Sequence, residues 1–423
     1  MFKTLRNALK IEDIRKKLIF TFLMLVVVRF GSQLPIPGAN RDYFQAWFAQ
    51  QTGDAFNFFD AFTGGSFTSM SLFALGITPY ITSSIIVQLL TIAIPKLEEM
   101  QKDGEDGRKK IQTISRYLTV ALALIESIAM TVGFGSRGLL AANTIPNKIV
   151  VIAAMTAGSA FLMWIGEEIT EHGVGNGISI VLLINIVSRI PDDFVTLFDQ
   201  FMKGQTILNA VVAAVVIIAV VLVTVVFVIF LQDGERRIPV QYAKQVKGRK
   251  MYGGQATVIP IKISGSGVMP LIFAFAIISL PDLIMGLFWP DSSAYTWYST
   301  YISGGSGPWA WAYILVLCLL IFAFSFFYAQ IQFNPEDVSK SIQQNGGFPG
   351  IRPGRPTADY LKKISNRITL FGAIFLSLVA FVPSFAFSFA GSNFVNVFST
   401  TGILIVVSVA LELDKQLQSQ LMM

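Results

Sequence analysis

Apolar residues along the chain gather into runs of bilayer length, separated by short polar loops. A helix that crosses the hydrocarbon core needs about 20 predominantly apolar residues. Ten runs meet that need, at roughly 18–36, 71–94, 117–136, 149–166, 174–190, 208–231, 268–289, 309–329, 368–390 and 394–411. The fifth opens on Gly175, Asn176 and Gly177 and is barely long enough, so alone it would also suit a re-entrant segment. Ahead of the second run lies FNFFDAFTGGSFTSM at 56–70, apolar in part but broken by Gly64, Gly65 and hydroxyls. Because 71–94 spans unaided, this prelude is surplus. It is too short and too polar to cross lipid, which leaves the interface or a water-accessible cavity as its place.

Charge sets the orientation. With the N-terminus in the cytoplasm and ten alternating spans, 26 of the 32 Lys and Arg residues fall on the cytoplasmic side. The positive-inside rule favours that bias, and dropping the fifth run would turn the later basic loops outward. Both termini are therefore expected inside. Ten spans divide into two sets of five with opposite orientation, the arrangement of inverted-repeat transport proteins. The basic arm before Leu18 mimics a secretory signal, but its apolar run continues through Arg29 to Pro35 and Pro37 without a small-residue cleavage site, so we read a retained first helix.

Composition narrows the chemistry. Hydrophobic residues make up 53% of the 423 residues and charged ones 14%, where soluble domains carry about 25% charged. One cysteine, Cys318, and one histidine, His172 in a loop, assemble neither a disulfide nor a Cys/His metal site. No cofactor or metal is expected. Ionisable residues at membrane depth are few: Arg29, Glu126 and Asp282. Arg29 and Asp282 read as snorkelling groups or interhelical hydrogen bonds, and Glu126 as the strongest candidate for a functional intramembrane group. No phosphate loop ending in Gly-Lys-Ser/Thr is present. Two cytoplasmic loops are elaborate. The loop at 232–267 holds seven basic residues, and alternation of Val258, Ile261 and Ile263 in its second half suggests a hairpin. The loop at 330–367 bends around Arg352 and Arg355 between prolines and glycines. Such basic segments would suit anionic lipid, but rigid arginine tips are better matched to an acidic protein or a phosphate backbone.

Several stretches together resemble the SecY family of protein-conducting channels: RFGSQLPIPG at 29–38, FALGITPYITSSIIVQLL at 73–90, GEEITEHGVGNGISI at 166–180, ERRIPVQYAK at 235–244, FNPEDVSKSI at 333–342 and PGIRPG at 349–354. The tip GGFPGIRPG is one residue shorter than is usual before PGIRPG. The resemblance implies an all-α membrane protein, with ten transmembrane helices in two inverted five-helix halves, 1–200 and 201–423, around a central hourglass pore. It implies a short plug helix at 56–70, including Phe58, Phe59, Asp60, Phe62, Gly64, Gly65 and Ser66. It carries a pore ring over to Ile77, Ile81, Ile178, Leu182, Val268, Ile272, Thr401 and Ile405, four pairs at i, i+4 spacing. A lateral gate would lie between the second and third helices and the seventh and eighth, near Gln88 and Glu126. Uncharged residues are common in the family at the position of Glu126, so protonation there is expected to bear on gating. Arg236, Arg237, Arg352 and Arg355 would dock cytoplasmic partners.

The implied partners are the SecE and SecG subunits, the SecA motor ATPase, the ribosome, signal sequences, nascent secretory or membrane polypeptides, and the lipid bilayer of the cell (plasma) membrane. No enzymatic activity of its own is expected. A small-solute secondary transporter would also fit ten spans, but should show charged or polar ligands at the midplane. An intramembrane protease would need a paired-Asp, Ser/His or zinc constellation that these residues do not supply.

Overall fold

The computed structural model describes residues 2–50, 60, 62–135, 138–201, 207–242, 245–247, 250–252, 256–263, 269–289, 292–302, 310–347, 351, 352, 354–388 and 400–422. Among the described residues, ten helices of 16 to 34 residues fall one on each apolar run. They are α1 (Glu12–Gly31), α2 (Thr78–Ala93), α3 (Glu105–Gly135), α4 (Ile145–His172) and α5 (Gly177–Phe201). The other five are α6 (Ile207–Asp233), α7 (Met269–Phe288), α8 (Ala310–Gln332), α9 (Arg355–Ser388) and α10 (Thr400–Met422). Among the described residues four helices are apolar and long enough to cross a membrane by composition alone, and α2 with the helix Pro95–Lys102, bent by 107°, makes a fifth.

Three helices depart informatively from the runs. α5 is 25 residues long and carries Pro191 inside it; its apolar part, Gly177–Pro191, is short for a span, but the helix continues to Phe201 instead of turning back, about 37 Å at 1.5 Å per residue. α3 begins twelve residues before its apolar run because Glu105 to Arg116 continue the helix beyond the membrane. α2 starts only at Thr78, with Pro79 in its first turn, where the hydrophobic run had begun at Ser71. Residues 71–77 are a series of turns. Phe73, Ala74, Leu75 and Ile77 are at most 2% exposed, so this irregular backbone is shielded by protein, the condition under which non-helical chain is tolerated at membrane depth.

The helices pack in two groups. α3 lies along α2 and α4, α8 lies along α7 and α9, and α6 rests on α9 and α10. The first group closes over Phe44, Phe67, Phe134, Leu139 and Met155, with Phe44 edge-on to both Phe67 and Phe134 at 5.2 Å. The second closes over Val228, Leu271, Ile278, Ile321 and Leu376. On α6 the outward residues Val215, Leu222, Val223, Val226 and Phe230 remain more than half exposed, as a lipid-facing stripe should.

The two basic loops carry small sheets. β1 (Glu235–Tyr242) pairs antiparallel with β4 (Ala256–Lys262), in the register Ile238 opposite Ile259, while β2 (Gln245–Lys247) pairs with β3 (Lys250–Tyr252). The hairpin therefore recruits the first half of its loop as well as the alternating second half. A short strand from the other loop, β5 (Gly346–Gly347), adds to β1 with Gly347 opposite Gln241. Ile238, Val240, Ile261, Ile342 and Leu361 form a core beneath. The two basic loops are thus one folded platform.

Candidate functional site

Four helices bring their starts, within the first two turns, to a common apolar centre. Ile77, the residue capping α2, is 1% exposed, Leu182 on α5 5%, Ile272 on α7 5% and Ile405 on α10 1%. These four belong to one buried cluster, and Ile81 and Ile178 pack against it half-buried. Ile81 N–H donates to the Ile77 carbonyl at 3.1 Å, so this pair spans a single helical turn. Asn176 caps the start of α5, its side-chain oxygen accepting from Ile178 N–H at 3.1 Å and Ser179 N–H at 3.3 Å. Six of the eight expected ring positions therefore converge. Val268 lies outside the described residues, and Thr401 sits in the first turn of α10 with its side chain outside them.

The same cluster contains Phe62 from the segment before α2. Phe58 and Phe59 lie outside the described residues. Asp60, Phe62 and Thr63 are helical and the chain then turns from Gly64 to Met70, so the expected plug helix is brief where it is described. Within it, Asp60 is 2% exposed. Its carboxylate is ion-paired with Arg189 of α5 and accepts from Thr68 N–H at 2.9 Å. Asn185 Nδ2 donates to the Phe62 carbonyl at 3.1 Å, and Arg29 Nη1 to the Gly64 carbonyl at 3.3 Å. Gly64 has φ +66°, and a Cβ there would lie 2.9 Å from the backbone of Asn185. Gly65 also takes a left-handed φ, +81°, and closes the turn by donating its N–H to the Asp60 carbonyl at 3.1 Å. Ser66 is buried and its carbonyl accepts from Ser71 N–H at 3.0 Å. The segment leaves through Met70, whose carbonyl accepts from Ile36 N–H at 3.0 Å. Arg29, expected to snorkel or to bond another helix, donates instead to the carbonyl of a turn residue. Arg189, Asn185 and Met70 carried no sequence signal of their own.

Across the boundary between helix groups, the Tyr328 hydroxyl of α8 donates to Gln88 Oε1 of α2 at 2.6 Å. Nearby, α3 packs against α7. Glu126 lies on α3 half-buried, and its Oε2 has no hydrogen-bond partner among the described residues. In the first half of α3, Arg116 pairs with Glu167 of α4 at 2.8 Å. His172 closes α4 as its last helical residue, paired with Glu168 at 3.1 Å, and is not in a loop.

Arg236 and Arg237 stand exposed on β1, and Arg352 and Arg355 stand exposed at the end of the second loop and the start of α9. Arg237 Nε contacts Glu235 at 2.7 Å, an exposed pair of little energetic weight. Arg367 joins Arg236 and Arg237 around one crevice, floored by Ile263, Ile368 and Phe371. Among the described residues no three His, Cys, Asp or Glu side chains gather as metal ligands.

A sequence model of SecY matches residues 71–413. The protein translocase subunit SecY of Halalkalibacterium halodurans is 41% identical over 433 residues, covering all of this chain and 98% of that protein. The chain belongs to the SecY family. Among solved structures, one described as a protein-conducting channel superposes with a TM-score of 0.67 at 20% identity, covering 96% of this chain and 92% of that one. Sec61 in the canine ribosome-channel complex from the endoplasmic reticulum gives 0.65 at 20%, with the same coverage. At that identity the two structures speak to the fold alone. SecY membership makes this chain a multi-pass membrane subunit of a protein translocase, the one that conducts polypeptides, and removes the solute-transporter alternative. In this SecY-family chain the apolar centre, the segment packed against it and the hydrogen bond between α2 and α8 lie in one continuous region.

Proposed function

We propose that unfolded secretory polypeptides cross the plasma membrane between two five-helix halves, 1–200 and 201–423, through the apolar centre. Transmembrane segments leave sideways between α2 and α3 on one side and α7 and α8 on the other. The observation that carries this reading is the single buried cluster in which Ile77, Leu182, Ile272 and Ile405 from four helices meet Phe62 of the preceding segment. Branched apolar side chains at a constriction resist wetting, so they block ions without binding a passing chain tightly. Val268 and Thr401 complete the ring. Residues 56–70 are a plug that sits against it. Gln88 and Tyr328 hold the lateral gate shut, and Glu126 on α3 borders it.

Both termini lie in the cytoplasm, where the bias of Lys and Arg places them. The β platform, with Arg236, Arg237, Arg352 and Arg355 exposed on linked loops, docks the SecA motor ATPase or the ribosome; the canine Sec61 relative is itself part of a ribosome-channel complex. SecE and SecG complete the membrane unit. The chain has no enzymatic activity of its own, and the driving energy comes from the partner or the membrane potential.

A cysteine at Ile272 in a Cys318→Ser background tests the path. A secretory chain arrested in transit, with a thiol-reactive probe in its translocating segment, should crosslink there and not to a cysteine at Val223 on the lipid-facing stripe of α6. Equal labelling of both sites would refute the path.

A further inference from the structure

Three polar grips hold residues 60–64, and all three come from the N-terminal set of helices. Arg189 of α5 pairs with the Asp60 carboxylate. Asn185, one turn earlier on α5, donates to the Phe62 carbonyl at 3.1 Å. Arg29 of α1 donates to the Gly64 carbonyl at 3.3 Å. The Asp60 side chain is 3% exposed and that of Arg189 26%, so the pair is largely withdrawn from water. Its second carboxylate oxygen is occupied by Thr68 N–H. Residues 185 and 189 sit at i, i+4 on one face of α5, aligned along the segment they hold. By contrast, the hydrogen bond closing the boundary between helix groups, Tyr328 to Gln88, touches none of these residues.

We propose that Arg189, Asn185 and Arg29 are positioning residues forming a latch that fixes the plug to the N-terminal half, independently of the lateral gate. This rests on the plug reading above. Because all three polar grips are within one half, parting the halves does not break them, although Phe62 also shares the apolar cluster with Ile272 and Ile405 of the other half. Lateral opening and plug release are then two separable events, and the latch sets how strong a signal must be before the seal is lost. Signal sequences that open the gate without releasing the latch would partition into lipid with the ion barrier intact.

The test uses the full chain with its partner subunits in planar bilayers, on a Cys318→Ser background. Asp60→Asn and Arg189→Gln should each raise resting conductance about tenfold. That is the low end for losing a hydrogen bond to a charged group, because Arg189 keeps partial contact with solvent. Each should also admit substrates with defective signals. The double variant should leak no more than the worse single, since one interaction is removed once. Arg189→Lys, which keeps the charge, should recover most of the seal. Arg189→Gln should leave the distribution of distances between α2 and α8 as in the parent, because the latch lies within one half.

In Asp60→Cys with Arg189→Cys, a cleavable bis-thiosulfonate bridge should block secretion until it is reduced. Singles as tight as the parent, in a channel that leaks when 56–70 are deleted, would overturn the latch and keep the plug. A deletion that neither leaks nor relaxes signal dependence, together with secretion past the intact bridge, would overturn the plug reading itself.

Discussion

Removing one oxygen atom from Tyr328 should move the lateral gate measurably. Tyr328 is 5% exposed and its hydroxyl reaches Gln88 Oε1 at 2.6 Å across the boundary between α2 and α8. Tyr328→Phe keeps the ring and its packing on Phe273, 4.9 Å away between centroids, but leaves the Gln88 amide without its donor. An unpaired buried polar group costs about 1–3 kcal/mol. Gln88 is half-buried and recovers part of that from water or lipid headgroups, which leaves about 1–1.5 kcal/mol. At 1.4 kcal/mol per tenfold, the closed-to-open ratio should fall by a factor of about five to ten. Single-molecule energy transfer between dyes at the cytoplasmic ends of α3 and α8, in proteoliposomes without substrate, reads that ratio directly. Replacing both partners, Gln88→Leu with Tyr328→Phe, removes the polar demand together with its supply, so the double variant should close at least as well as the parent. An unchanged distribution in Tyr328→Phe, or a double variant that opens by the sum of the singles, would refute the gate assignment.

Two further outcomes follow from the geometry. Gly64→Val puts a branched side chain where a Cβ already meets the backbone of Asn185 at 2.9 Å, on a residue with φ +66°. Strain of this kind costs of order 1–3 kcal/mol, so the variant should leak ions at rest while transporting at or above the parental rate, and a tight resting membrane counts against the close contact. Arg236→Glu with Arg237→Glu should weaken binding of the motor or ribosome at least tenfold, with a shallower dependence on salt because fewer counter-charges are matched. Titration of labelled partner against proteoliposomes at several ionic strengths measures both, and an unaltered salt slope would place the docking elsewhere.

Span number and order were legible because hydrophobic run length reports on lipid contact, and each of the ten runs holds a helix. At the start of α2 helix and run part company, and there the apolar residues face protein instead of lipid. Leu75 and Ile77 look like span residues, but they are buried in turns before Thr78. Hydropathy cannot distinguish these two kinds of burial. The first strand of the cytoplasmic hairpin was hidden for another reason: ERRIPVQY carries two arginines and a proline, and becomes a strand by pairing with β4. Pairings such as Asp60 with Arg189 and Gln88 with Tyr328 join residues 129 and 240 positions apart, so no local spacing foretells them. That these isoleucines would converge was expected only through resemblance, since an Ile at a helix start is ordinary until four helix starts meet.

That meeting of helix starts bears on which ions the resting channel refuses. Ile77 caps α2, Ile178 is the second residue of α5, Ile272 the fourth of α7, and residue 401 the second of α10. Each helix start carries the equivalent of about half a positive charge from its aligned peptides. Even- and odd-numbered spans cross in opposite directions, so these positive ends face the constriction from both sides. On the ring proposed above, the apolar collar therefore sits in a field that disfavours cations. What leaks past it should be chloride before sodium.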